Sequence, residues 1–212
     1  MGIQLFNWFT KITGFIPALL AFRTKIHYVD KQTQGRFIKG PAILISNHRK
    51  IFDYAVYLFV FFTRTLRVQA AEVLYTRPFM KPLLCSLGAI YVDRNHKDFG
   101  FVKKSLQLLK KGWIVHIYPE ARLPKKDEET PLPFVPSAAY IALESGVPVI
   151  PVVTNGSYFN FRKRAHVLIG TPVYAADLME DGLTDRENID RVNEKLRDII
   201  RGLQEKLNEM VL

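Results

Sequence analysis

A histidine stands five positions ahead of an aspartate in the segment ISNHRKIFDY (45–54), directly after an apolar run that reads as a strand. Those residue types suit a general base and the carboxylate that orients it. On a regular helix five positions turn through roughly 140°, so His48 and Asp53 cannot share one face. The pair meets only if His48 lies in a turn and Asp53 in the first turns of the following helix, with Ser46 or Asn47 as the expected N-cap. Asp53 then reaches back to one imidazole nitrogen, fixes the tautomer, and leaves the other nitrogen to take a proton from a hydroxyl. Taken alone, the pair also fits a surface histidine near a helix start.

Three further blocks follow in order: GAIYVDR (88–94), IYPEAR (117–122) and GVPVIPV (146–152). Arg94 and Arg122 are natural phosphate ligands, because a guanidinium offers paired donors to two oxygens, although a solvated or salt-bridged arginine at a strand end is the duller account of each. With the histidine segment, these blocks resemble the glycerophosphate and lysophospholipid acyltransferase family, over about residues 39–170. The resemblance implies that His48 and Asp53 are the catalytic dyad. It implies that Arg94, Glu120 and Arg122 bind the acceptor, and that the strand from Val147 to Pro151 supports the acyl or acceptor pocket. Glu120 has two readings, a hydrogen bond to a glycerol hydroxyl or a backbone role in turning the chain. The implied reaction moves an acyl group from acyl-CoA or acyl carrier protein to the free hydroxyl of 1-acyl-glycerol 3-phosphate, in phospholipid synthesis and without a cofactor. Glycerol 3-phosphate or another lysolipid is the alternative acceptor. Two departures bear on acceptor identity more than on reaction type. Ala121 stands where the family commonly has glycine after Pro-Glu, and PFVPSAA (133–139) lacks the basic residue of a Phe-Lys-x-Gly stretch.

These residues need a scaffold that gathers strand ends. PAILIS, RVQAA, AIYVD, WIVHIYP, VPVIPVV and AHVLIG are strand-like runs bounded by Gly, Pro or charge. Helical patterns fall near 53–62, 76–87, 98–111 and 137–144. The alternation predicts an α/β fold, a partly parallel mixed sheet flanked by helices, with active groups just past the strand ends. Ile189, Val192, Leu196, Ile199, Leu203 and Leu207 recur at helical spacing, which predicts a tail helix packed on the core. The aromatic block at 54–62 suggests a wall for an acyl chain or, equally, an ordinary core helix.

Composition bounds the rest. A chain of 212 residues with 48% hydrophobic content fills one core, and no linker separates two large domains. The expected division is a membrane-interface helical segment at 1–25 and an acyltransferase domain at 26–212. From Leu5 to Phe22 the chain is aromatic and aliphatic, yet Lys11 and the expected breaks at Gly14 and Pro17 interrupt it, short of the ~20 apolar residues of a spanning helix. An interfacial helix or helix pair is expected, with Lys11, Arg23 and Lys25 offered to anionic lipid and no secretory cleavage site. This predicts a peripheral or monotopic protein on the cytoplasmic face of a membrane. The net charge of +10 calls for anionic partners, and the basic runs FRKRAH and VKKSLQLLKK are solvated faces or landing surfaces for lipid or carrier protein. No nucleic-acid motif accompanies the charge. A single cysteine, Cys85, excludes an internal disulfide and fits a reducing compartment. The chain lacks a nucleophile elbow, a P-loop, a dinucleotide fingerprint and any metal-ligand spacing. What remains is a base with anion-binding groups; backbone N–H groups near the helix start are one source of oxyanion donors, which the sequence leaves open. A lipid-binding protein that keeps the fold without turnover is the non-enzymatic alternative, and it has no need of the dyad.

Overall fold

Val- and Ile-rich runs become strands because branched side chains pack well on a pleated surface. The computed structural model describes residues 2–94, 99–160 and 162–211. Along the chain these form α1 (Gly2–Phe22), β1 (Lys25–Tyr28), β2 (Ala42–Ser46), α2 (Asp53–Val60), β3 (Leu66–Ala71), α3 (Glu72–Tyr75) and α4 (Met80–Leu87). They continue through β4 (Ile90–Val92), α5 (Gly100–Lys110), β5 (Ile114–Ile117), α6 (Ser137–Ser145), β6 (Val149–Thr154), β7 (His166–Ile169) and α7 (Asp185–Val211). The seven strands make one sheet in the order β1-β7-β6-β2-β5-β3-β4. Every neighbouring pair is parallel except β6 and β7. The partly parallel sheet predicted from the alternation is present.

Strand alternation divides the core in two. Ile43 and Ile45 of β2 face α6 and α7 together with Val115, Ile117, Val149 and Val153. Ala42 and Leu44 face the other way, onto Val56, Tyr57 and Phe61 at α2 and Phe22 of α1. Each such side chain taken fully out of water contributes about 1.5–3 kcal/mol. The tail stripe packs as expected, with Ile200 in the fully buried place and Ile199 only partly buried.

Several elements differ from their sequence patterns. β1 has little signal, because only Ile26 and Tyr28 alternate along a half-buried edge. The helix expected at 76–87 begins only at Met80, as α4, with the short α3 lying before that range; Pro78, which disfavours helical backbone at the residue before it, stands in the turn between them. Asp98, the expected start of the next helix, lies outside the described residues, as does Phe161 of the second basic run. The aromatic block at 54–62 is mainly core: Val56, Tyr57, Leu58, Val60 and Phe61 are all buried.

The largest difference is α1. It runs unbroken through Gly14 and Pro17, packed against α2 and α4. Gly14 admits the Phe59 ring, for a Cβ there would lie 2.9 Å from it. The helix is polar inside and apolar outside. Asn7 and Lys11 are buried with Ala18 and Phe22, whereas Leu5, Phe9, Ile12, Phe15, Ile16 and Leu19 are exposed. Lys11 is therefore not offered to lipid. Its ammonium donates to the carbonyls of Phe61 at 3.4 Å, Phe62 at 2.8 Å and Arg64 at 2.6 Å, and burial lowers its pKa to about 8.

Candidate active site

The parallel strands bring their C-terminal ends to one edge of the sheet. β2 delivers Asn47 and His48, β5 delivers Tyr118 and Glu120, β4 delivers Arg94, and β6 ends at Thr154. His48 sits in the turn and Asp53 opens α2, the arrangement their spacing requires. Nδ1 of His48 lies 2.9 Å from Asp53 Oδ2. The carboxylate is fully buried and the imidazole is 22% exposed. Among the described residues Nε2 of His48 has no protein partner, and the ring borders a large cavity.

Asp53 does more than orient the ring. Its Oδ2 also accepts the backbone N–H of Arg49 at 2.6 Å and of Lys50 at 2.9 Å, and its Oδ1 accepts the Tyr158 hydroxyl at 2.6 Å. The expected caps are used elsewhere. Ser46 pairs with His116 at 2.8 Å, and Asn47 clasps Thr154 through Nδ2 to the carbonyl and the Thr154 N–H to Oδ1, both at 2.9 Å. The residue before α2, Phe52, makes no side-chain cap. This clasp joins the ends of β2 and β6 and so fixes the base of the turn.

Glu120 is buried and its carboxylate turns inward. Oε1 accepts the His48 N–H at 2.9 Å and Oε2 the Leu132 N–H at 3.0 Å, which is the chain-turning reading rather than a contact to a glycerol hydroxyl. Burial raises its pKa, and the two backbone bonds act in the opposite direction. The amides of His48, Arg49 and Lys50 are thus committed to carboxylates. His48 stacks on Tyr118 with centroids 4.2 Å apart, and Tyr118 leans on His116 at 4.5 Å. His116 is wholly buried, which lowers its pKa to about 3 and keeps the ring neutral.

The cavity has a volume of about 1330 Å³. His48, Arg94 and Arg122 line it near the strand ends, and Val73, Leu74, Leu84, Phe99, Phe101 and Leu106 give it an apolar wall. Tyr54 is the member of the 54–62 aromatic block that reaches it. Both arginines are half exposed and paired. Arg94 forks onto Glu72, Nε to Oε2 at 3.1 Å and Nη2 to Oε1 at 3.0 Å, and its Nη1 donates to the Ala121 carbonyl at 3.1 Å. Arg122 forks onto Glu128 at 2.8 and 2.5 Å, a pairing that lowers the Glu128 pKa to about 2.

The acyltransferase family model matches residues 23–155. The chain belongs to the acyltransferase family. It is 28% identical over 169 residues to the human 1-acyl-sn-glycerol-3-phosphate acyltransferase beta, covering 77% of this chain and 57% of that protein. It is 26% identical over 149 residues to the Bacillus subtilis 1-acyl-sn-glycerol-3-phosphate acyltransferase, covering 68% and 72% respectively. The chain thus spans little more than half of the human relative. Its fold is similar to the solved 1-acyl-sn-glycerophosphate acyltransferase of Thermotoga maritima, with a TM-score of 0.62 at 18% identity over 96% of this chain and 78% of that one.

Within this family member, the alanine in place of the family's glycine has a conformational meaning. Ala121 has φ +56°, the left-handed region that glycine occupies without strain, and its carbonyl there meets Arg94. Sequence reasoning missed Tyr158, Tyr118, Glu72 and Glu128. Tyr158 lies 105 positions from the aspartate it contacts, and no local spacing points to it. Glu72 opens a four-residue helix directly after β3, where the strand-end logic that found Arg94 applies equally.

Proposed function

We propose that this acyltransferase moves an acyl group from acyl-CoA or acyl carrier protein to the free hydroxyl of 1-acyl-glycerol 3-phosphate at the surface of a membrane. The observation that carries the reading is the buried carboxylate held 2.9 Å from one imidazole nitrogen while the ring borders an apolar cavity. Nε2 of His48 takes the proton of the acceptor hydroxyl, and Asp53 stabilises the imidazolium that forms. The hydroxyl oxygen attacks the thioester carbonyl, the new C–O bond forms and the C–S bond breaks. The imidazolium returns its proton to the departing thiolate, whose ordinary thiol pKa near roughly 8.5 makes it a good leaving group. No acyl-enzyme is needed. Arg94 and Arg122 take the acceptor phosphate by exchanging their carboxylate partners for it, and the apolar wall takes acyl chain.

The inverted α1 supports the membrane reading, since a helix with its polar residues inside and its apolar residues outside suits lipid. It is long and apolar enough to cross a bilayer by length and composition. Packed along α2 and α4, it reads as a monotopic element that lies in the interface on the cytoplasmic face, with Lys25 beside its C-terminal end. The deciding experiment is an acyl-transfer screen of the purified protein in lipid vesicles against lysolipids and glycerol 3-phosphate, with acyl-CoA and acyl carrier protein donors run side by side. The reading expects 1-acyl-glycerol 3-phosphate to be the preferred acceptor. Preference for glycerol 3-phosphate would reassign the acceptor, and absence of transfer from either donor would leave a lipid-binding protein.

A further inference from the structure

Asp53 is buried with four donors on its two oxygens, and three of those donors belong to its own turn. The fourth comes from far away. The Tyr158 hydroxyl donates to Oδ1 at 2.6 Å, and its oxygen lies 3.1 Å from Thr154 Oγ1. A phenol has one proton to give, so with that proton on Asp53 the Thr154 hydroxyl is the donor in the second bond. Thr154 Oγ1 in turn accepts the Gly156 N–H at 3.3 Å. The result is a one-directional relay of donors from the end of β6 to the carboxylate. Gly156 permits the loop to take this path: it has φ +68°, and a Cβ there would lie 2.8 Å from Arg49.

We propose that Tyr158 is a positioning residue for the His48–Asp53 pair, holding Asp53 Oδ1 so that Oδ2 stays aimed at His48 Nδ1 and at the amides of Arg49 and Lys50. A carboxylate rotates about its last torsion with little resistance, because that torsion is broad rather than staggered. The donors on Oδ2 pull it one way, and a short bond on the opposite oxygen fixes the plane. Burial and the nearby Asp53 charge raise the Tyr158 pKa, so its hydroxyl stays protonated and remains a donor at any working pH. Phe22 meets the Tyr158 ring edge-on, with centroids 5.5 Å apart, which holds the ring in place. Loss of a hydroxyl that acts on Asp53 changes how tightly the imidazolium is held, whereas loss of a merely structural hydroxyl does not.

The assignment rests on the reading of His48 and Asp53 as base and orienting carboxylate. The test is a cycle of Tyr158→Phe, Asp53→Asn and the double variant, each verified as folded by its thermal midpoint and assayed for transfer between pH 5 and 9. Tyr158→Phe is expected to lower kcat about tenfold with acceptor KM little changed. It also moves the acidic limb of the kcat profile to higher pH, since a carboxylate with one donor fewer concentrates charge on the oxygen facing His48. The other charged or titratable groups around the pair, Arg49, His116, Tyr57, Tyr118 and Glu120, are the same in both proteins. In the Asp53→Asn background, Tyr158→Phe is expected to add less than about twofold, because the tyrosine acts through the carboxylate. Full additivity, or an unmoved pH profile in folded Tyr158→Phe, overturns the proposal. If Tyr158→Phe does not fold, Thr154→Val carries the same cycle, with a smaller loss suppressed by Asp53→Asn in favour and an additive or absent loss against. Near-normal turnover by His48→Ala would remove the dyad reading itself. An inactive His48→Ala beside an unaffected Tyr158→Phe removes only the role of the tyrosine.

Discussion

Behind His48, at one wall of the cavity, a carboxylate with no solvent exposure is held by donors on both oxygens, from its own turn and from the loop after β6. At the other, two half-exposed arginines fork onto carboxylates of their own neighbourhood. The first arrangement has one solution, because a buried charge that loses a partner keeps its desolvation penalty. The second has several. Exposed ion pairs are weak, so Arg94 and Arg122 can trade one anion for another at little cost. In the proposed reaction, rigidity is concentrated where a proton moves, and tolerance where a phosphate arrives and leaves.

The sharpest way to break this contrast is at the rigid wall. His48→Ala is expected to lower transfer about 10²- to 10⁴-fold with the thermal midpoint retained, and Asp53→Asn to follow with a smaller loss. Initial rates on the purified variants decide it, and near-normal turnover by folded His48→Ala would abolish the distinction between the walls.

The arginine wall should respond by degrees. Arg94→Ala is expected to reduce kcat/KM for a phosphorylated acceptor roughly ten- to a hundredfold, while Arg94→Lys, which keeps charge without the fork, falls between it and the parent. Thioester hydrolysis without acceptor should be largely spared. Equal losses in transfer and hydrolysis would move Arg94 into the scaffold or the donor site, and the same pair of assays on Arg122→Ala decides which arginine reads the phosphate.

How much of this was legible in the sequence depends on range. His48 and Asp53 were readable because both ends of their contact lie within one turn-to-helix segment. The parallel strands were readable because burial on both faces leaves near-continuous Val and Ile runs. Arg94 was found by its place past a strand, but its partner Glu72 depends on how β3 and β4 pair. Glu120 was singled out beside an apolar strand with two readings open, since a carboxylate there gives no sign of which amides it will meet, and one of them, that of His48, lies 72 positions away. For α1, local pattern pointed the wrong way. A lysine in an apolar run reads as solvent-facing, and only the carbonyls at the end of α2 make the interior hospitable to it.

The smallest expected effect concerns the layer beneath the dyad. The folded-state pKa of His116 is depressed to about 3 from the ordinary 6.5, so the unfolded chain binds a proton that the native one refuses. The sign follows: stability is complete above about pH 6.5 and is progressively lost as pH falls towards 3. Thermal midpoints measured across that window should decline in the parent and decline less steeply in His116→Gln. Parallel slopes would show that the histidine layer does not contribute to the acid sensitivity of the rigid wall.

Lys11 joins α1 to three carbonyls in the turn that follows α2, and α2 begins at Asp53. One short rod of about 12 Å thus separates the contact with α1 from the His48–Asp53 pair. Such a linkage sets a height. On the proposed membrane reading, α1 beds in an interface, the imidazole stands at a set elevation over the lipid, and a hydroxyl carried on a lipid backbone meets it at one depth and not at others. On that reading bilayer thickness and headgroup packing act on turnover as mechanical settings, transmitted through α1 and the helix it packs on.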